Sequence, residues 1–147
     1  MGKICEVDLK DIKQLKEKLE QFNKFDKKSL MKETVQEIAE ELLDTVVSKT
    51  PRDTGLLQDS WKMTEVVDHG SYVEITVYNP VDYASHVEYD HEQEVGRYVP
   101  QIGKRLVKPL VEGKFFLKKS VEIVDDEAPD IIKRKLIKAL EDLLNAK

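Results

Sequence analysis

The chain has 147 residues, 40% hydrophobic and 36% charged, with a formal net charge of −5. A chain of this length buries a core without metal or disulfide staples, its one cysteine, Cys5, cannot pair internally, and the acidic balance argues against a simple polyanion binder. No apolar run follows the initiating Met and no stretch nears the roughly 18 apolar residues of a membrane span, so the expectation is a protein made and kept in a reducing cytosol, away from membranes.

Asp8 is placed to cap a first helix whose apolar positions Leu9, Ile12, Leu15, Leu19 and Phe22 recur at steps of three and four. Its stripe is narrow and flanked by lysine and glutamate, which suits a helix lying on a surface or against a neighbouring subunit. A stronger pattern starts at Ser29 and runs through Leu30, Val35, Ile38, Ala39, Leu42, Leu43, Val46 and Val47. Thr50-Pro51 ends this core helix, because a proline lacks a backbone donor and pushes the residue before it out of the helical region.

Trp61 to Val67 then reads as a strand, Asp68 to Ser71 as a turn, and Tyr72 to Tyr78 as a second strand with Val73, Ile75 and Val77 alternating inward. Asn79-Pro80 breaks the hairpin, and Val81 to Tyr89 predicts a short helix. Asp90 to Gly113, with two glycines and two prolines, is expected to be a long, partly extended excursion holding up to two strands. Lys114 to Val124 predicts a helix with Phe116, Leu117 and Val121 inward, and the acids Asp125, Asp126 and Glu127 before Pro129 predict a fresh start for a last helix carrying Ile132, Leu136, Leu140 and Leu143. The expected class is α+β: long N-terminal amphipathic helices, a small antiparallel sheet built on a hairpin with a long excursion, and a C-terminal helix.

Charge is unevenly distributed. From Trp61 to Glu94 one base faces eight acids, a net of −7, whereas from Val95 to Ser120 the bases Arg97, Lys104, Arg105, Lys108, Lys114, Lys118 and Lys119 face only Glu112, a net of +6. Two unrelated solvated surfaces would give this pattern, since exposed charges contribute little singly. So would a self-complementary surface, in which the acidic segment of one subunit meets the basic segment of the next; such head-to-tail contacts close into rings.

Few residues suggest catalysis. Asp53-Thr54-Gly55 is the triplet with which aspartic proteases hold a catalytic carboxylate, but here it follows Lys-Thr-Pro-Arg at a helix end instead of a burying apolar strand, so a turn is the better reading. His86, Glu88, His91 and Glu92 cluster within seven residues without the His-Glu-x-x-His spacing of a helical zinc site. His69 reads as a turn residue. No Ser-His-Asp order, phosphate-binding glycine loop or dinucleotide fingerprint occurs, so no catalytic, cofactor or metal residues are expected. Lys104 to Lys119, interleaved with Phe115 and Phe116, is suited at most to non-specific DNA contact.

Three phrases occur in order: Thr50, Pro51, Asp53, Thr54, Gly55, Leu57, Ser60 and Trp61; then Asn79, Pro80, Tyr83, Ala84, Val87, Glu88 and Tyr89; then Gly113, Phe115, Phe116 and Leu117. With helices before and after, the chain from Ser29 to Leu144 resembles the Hong Kong 97-type head-tail joining family, the gene product ten family of tailed phages and prophages. The resemblance implies one neck or tail-completion domain over residues 1–147, with 1–28 as a peripheral helical arm. It implies a non-enzymatic virion protein, present in the host cytoplasm before assembly. There it would form a homo-oligomeric ring, hexameric in the particle, between connector and tail proteins. The phrase residues would then be scaffold, with Trp61 an apolar anchor and Tyr83, Val87 and Tyr89 packing the short helix, while the seven bases make neighbour contacts. A tail-terminator or tail-tube-associated subunit, an aspartyl hydrolase using Asp53, and a cytoplasmic regulatory binding module are the alternatives. The sequence departs from the family pattern at Gln58, where a basic residue is common, and at Asp90, where glycine is.

Overall fold

The computed structural model describes residues 9–101 and 103–145. Helix α2 (Lys27–Lys49) supplies the central packing surface. Asp26 caps it, its side chain accepting from the Ser29 N–H at 3.0 Å, so the helix starts two residues before Ser29. Ala39 and Val46 are buried, and the remaining apolar positions of the pattern are half-buried. Helix α1 (Leu9–Lys24) precedes it through a corner in which the rings of Phe22 and Phe25 lie stacked and Lys27 sits 5.2 Å from the Phe22 centroid. The Asp8 cap lies outside the described residues.

After α2 come a one-turn helix α3 (Leu56–Asp59) and a β-hairpin. The hairpin is made of β1 (Lys62–Met63) paired with β4 (Val77–Tyr78), and β2 (Val67–Asp68) paired with β3 (Val73–Glu74). Lys62 faces Tyr78 but Val67 faces Glu74, so three residues of the first strand, 64 to 66, oppose two of the second. This extra residue is a β-bulge, which bends and twists the hairpin. Val73, Ile75 and Val77 are half-buried while Glu74, Thr76 and Tyr78 are exposed, the expected alternation. Lys28 and Lys32 of α2 hold the turn by reaching Asp68 at 3.0 and 3.2 Å.

Helix α4 (Ala84–Glu88) follows. The excursion then resolves into a second hairpin: β5 (His91–Glu92) pairs with β8 (Leu110–Val111), and β6 (Tyr98–Val99) with β7 (Lys104–Arg105). Gly96 N–H donates to the Leu106 carbonyl and Leu106 N–H to the Arg97 carbonyl, so two residues oppose one, with Gly96 at φ +88°. A bulge of this kind needs a positive φ that glycine adopts without steric cost.

Helix α5 (Phe116–Asn145) is continuous. It starts two residues later than predicted, and the separate terminal helix predicted at Pro129 does not exist. Pro129 sits exposed inside α5, and Asp125, Asp126 and Glu127 lie mid-helix instead of at a helix start. The helix continues because its long contact is with α2, where Glu37 meets Arg134 and, at 3.0 Å, Lys135. Val121, Ile132 and Leu136, predicted inward, are 46%, 48% and 44% exposed, so the inward stripe is narrower than the sequence pattern. The architecture is α+β. Its core is Val46, Leu57 and Phe116, one residue from each of α2, α3 and α5, with Trp61, Val77, Val81, Ala84, Val87 and Leu117 packed around them.

Candidate assembly site

The first phrase builds the joint between α2 and the first hairpin. Thr50 is buried, and its Oγ1 donates to the Val46 carbonyl at 2.5 Å while accepting the Trp61 indole N–H at 2.7 Å. One hydroxyl thus closes the helix end and fixes the ring, whose plane meets Phe116 edge-on with centroids 6.0 Å apart. Gln58 donates to the Val47 carbonyl at 2.9 Å, satisfying another acceptor at the open end of α2. Gly55 is buried at φ +88°, and Thr54 Oγ1 accepts from the Leu56 N–H at 3.3 Å. Pro51, Asp53 and Thr54 are exposed, so the Asp53 carboxylate faces solvent instead of the buried setting of a protease carboxylate. Ser60 Oγ donates to the Leu56 carbonyl at 2.6 Å, ending α3.

The second phrase locks onto the first. Asn79 donates to the Leu57 carbonyl at 2.7 Å and accepts from the Val81 N–H at 3.1 Å, tying hairpin exit, α3 and the entry to α4 together. Pro80 is exposed beside it. Ala84 and Val87 pack against the core, whereas Tyr83 and Tyr89 are 42% and 55% exposed. The predicted packing role therefore falls to Ala84 and Val87. Tyr89 instead lies edge-on to Phe115 with centroids 6.4 Å apart, and Tyr83 lines a surface groove.

Glu88 makes contacts that sequence spacing did not indicate. It is 4% exposed, and its two carboxylate oxygens accept from the N–H groups of Leu117 and Lys118 at 2.8 and 2.9 Å. A helix start has unpaired donors and a positive dipole end, so an acid there is a cap, here supplied from about thirty residues away. The chain reaches it through a tight crossing: Lys114 and Phe115 N–H groups donate to the carbonyls of Val87 and Glu88. Asp90 Oδ1 accepts from the Gly113 N–H at 2.6 Å, and a side chain at Gly113 would stand 2.4 Å from the Glu88 carbonyl oxygen. Both departures from the family pattern, Gln58 and Asp90, thus hold backbone groups. The sequence signal for the crossing was Gly113 before two phenylalanines, with Phe115 at φ +51° entering the helix.

The seven bases come from three stretches of chain. Arg97, Lys104, Arg105 and Lys108 are exposed on the second hairpin, Lys114 follows it, and Lys118 and Lys119 are exposed on the first turn of α5. Arg105 donates to the Gly96 carbonyl at 2.8 Å and lies 6.0 Å from the Tyr98 ring centre. Of the cluster drawn earlier, His86 and His91 bring their rings to 4.9 Å, but Glu88 is spent on α5. Among the described residues no group of three His, Cys, Asp or Glu is placed to hold a metal ion, and no helix is long and apolar enough to cross a membrane.

A groove of about 740 Å³ opens between the joint, α4 and the tip of the second hairpin, lined by Leu56, Leu57, Tyr83, Val87 and Val99 and rimmed by Asp53 and Asp82. Residues of the two phrases meet there, as they do in a smaller pocket lined by Trp61, Asn79, Ala84, Glu88 and Tyr89.

No curated protein and no solved structure matches the chain. Residues 12–89 match the family described as "Bacteriophage HK97-gp10, putative tail-component". The match takes in the first two phrases and stops at Tyr89, before the second hairpin and α5. It spans more than half of the chain, from α1 through the joint and the first hairpin to α4. The chain belongs to the bacteriophage HK97-gp10-like family, whose description is that of a phage tail component.

Proposed function

We propose that the protein is a non-enzymatic structural subunit of the virion that assembles as a homo-oligomeric ring, a hexamer in the particle, at the junction of head and tail. In this reading residues 1–147 act as one unit, with 1–28 as a peripheral arm, and the subunit waits in the host cytoplasm before meeting connector and tail proteins. Membership in a tail-component family supports the phage setting. The observation that carries the reading is the use of the phrase residues. Thr50, Trp61, Asn79 and Glu88 are hydrogen-bonded to backbone or to each other, so the chemistry-bearing residues shape the subunit. The exposed large apolar residues are spread over α1, both hairpins and α5, and the seven exposed bases lie on the second hairpin, just after it and on the first turn of α5.

Rigid joints with exposed, charged hairpins suit a ring subunit: the body fixes the angle between neighbours and the hairpins make the contacts. Reversing Lys104, Arg105 and Lys108 to glutamate tests this. The expected result is a folded protein, by circular dichroism, that no longer enters particles, together with a gene-deleted phage that accumulates heads and tails unjoined. Normal incorporation of the reversed protein, or normal particles without the gene, counts against the reading.

A further inference from the structure

The second hairpin carries an apolar face that its own subunit leaves open. Gln93 N–H donates to the Pro109 carbonyl and Glu92 pairs with Leu110, and this register sets Val95 opposite Val107. They are 57% and 78% exposed, the latter well above the other exposed apolar residues on the described chain. Tyr98 pairs with Arg105 just past the bulge, Tyr98 being 52% exposed. Tyr98 and Arg105 are residue types that interface hot spots favour, and the exposed Val95 and Val107 extend the apolar surface beside them.

The groove beside the Asp53-Thr54-Gly55 turn has the complementary character. Leu56 and Tyr83 are 54% and 42% exposed on its walls, and the exposed acids Asp53 and Asp82 form its rim, with no salt bridge among the described residues. Other open apolar positions are Ile12, Leu15 and Leu19 on α1, beside Lys13, Lys16 and Lys18 as well as Glu17 and Glu20, and Ile132, Leu136 and Ile137 on α5, beside Lys133, Arg134 and Lys138. The groove differs in being lined by two acids and no Lys or Arg. The geometry points to the groove as the seat of the Val95, Val107 and Arg105 face of a second copy of this chain. Arg105 then meets Asp82 or Asp53 at the rim while Val107 covers Leu56. The two patches differ, so each copy offers one of each and the contact is head-to-tail, as ring closure requires. This inference rests on the ring reading and names the surfaces that make it.

The test uses the full chain with Cys5→Ser, in two differently tagged forms, one with Leu56→Cys and the other with Val107→Cys, co-expressed and oxidised with copper-phenanthroline. Both positions are exposed, so folding is spared. The expected product is a disulfide joining the two tags, absent when either form is present alone. In parallel, Asp82→Arg and Arg105→Asp each weaken self-association about tenfold in sedimentation velocity, and the double variant recovers most of the loss. Oligomers of the unaltered protein that give no mixed disulfide and no recovery overturn this docking and leave the ring reading standing. An unaltered protein that is monomeric in solution and absent from particles overturns both.

Discussion

At the scale of single residues, the decisive side chains are buried acceptors and donors placed where helices start and stop. Glu88 occupies the start of α5, and its removal leaves two partly buried helical N–H groups without their carboxylate partner. Helix caps contribute about 1 kcal/mol each, and charge-assisted bonds roughly twice a neutral one. Glu88→Ala is therefore expected to lower the unfolding free energy by about 2 to 3 kcal/mol in urea titration, from two lost bonds and the vacated space. Glu88→Gln keeps the shape and one carbonyl acceptor, so it should lose less than half of that. Equal losses for the two substitutions would mean that Glu88 acts by filling space and not as a cap.

At the scale of elements, α5 shows how tertiary packing overrides local sequence. A proline inside a helix removes one backbone bond and crowds the turn before it, at a cost of about 3 kcal/mol when nothing compensates. Pro129 is exposed, and the contact of α5 with α2 carries the helix past it. Pro129→Ala is expected to raise stability by about 1 to 3 kcal/mol with an unchanged helical circular dichroism spectrum; a loss of stability would show that the proline shapes the packing. This element was misread from sequence because the acid cluster before a proline is a sound local signal, while the ion pairs of Glu37 with Arg134 and Lys135 lie 97 and 98 positions apart and leave no periodic trace. By contrast α2, the first hairpin and the Thr50 joint were legible, since period, turn residues and caps are local. The second hairpin was half legible. Its glycines and prolines marked a partly extended excursion, but the bulge and the pairing depend on register that composition does not encode. The Glu88 cap was invisible for the same reason as the α5 ion pairs.

The first hairpin gives a pH-dependent prediction at the same scale. The Gly70 N–H, and after it the ammonium groups of Lys28 and Lys32, hold the Asp68 carboxyl well below the usual carboxylate range. Folding thus weakens its affinity for a proton, so its contacts stabilise the fold above the ordinary aspartate range and lose that contribution as pH falls through and below it. Asp68→Asn should lower Tm relative to the unaltered protein near about pH 7, with the gap closing toward about pH 2. A gap that stays constant across that range would assign the effect to the turn geometry alone.

For the whole molecule, the segment totals of −7 and +6 overstate the field that reaches solvent on the acidic side. Glu88 is buried, Asp68 is matched by two lysines, and Asp90 is bonded to Gly113, leaving Glu65, Glu74, Asp82, Glu92 and Glu94 exposed, with Glu74 2.9 Å from His69. The basic side keeps all seven of its side chains exposed. In the proposed ring, attraction between copies falls to Asp82 and the neighbouring Asp53 in the groove against the basic hairpin, and such exposed pairs are screened over about 8 to 10 Å at moderate ionic strength. Self-association measured by sedimentation velocity should therefore weaken as salt rises from about 0.05 to about 0.5 M, chiefly through slower encounter. Asp82→Asn combined with Asp53→Asn should flatten that dependence, while Glu65→Gln on the first hairpin should leave it in place. Association that strengthens with salt would assign the contact to apolar burial alone and remove the charge complementarity from the account.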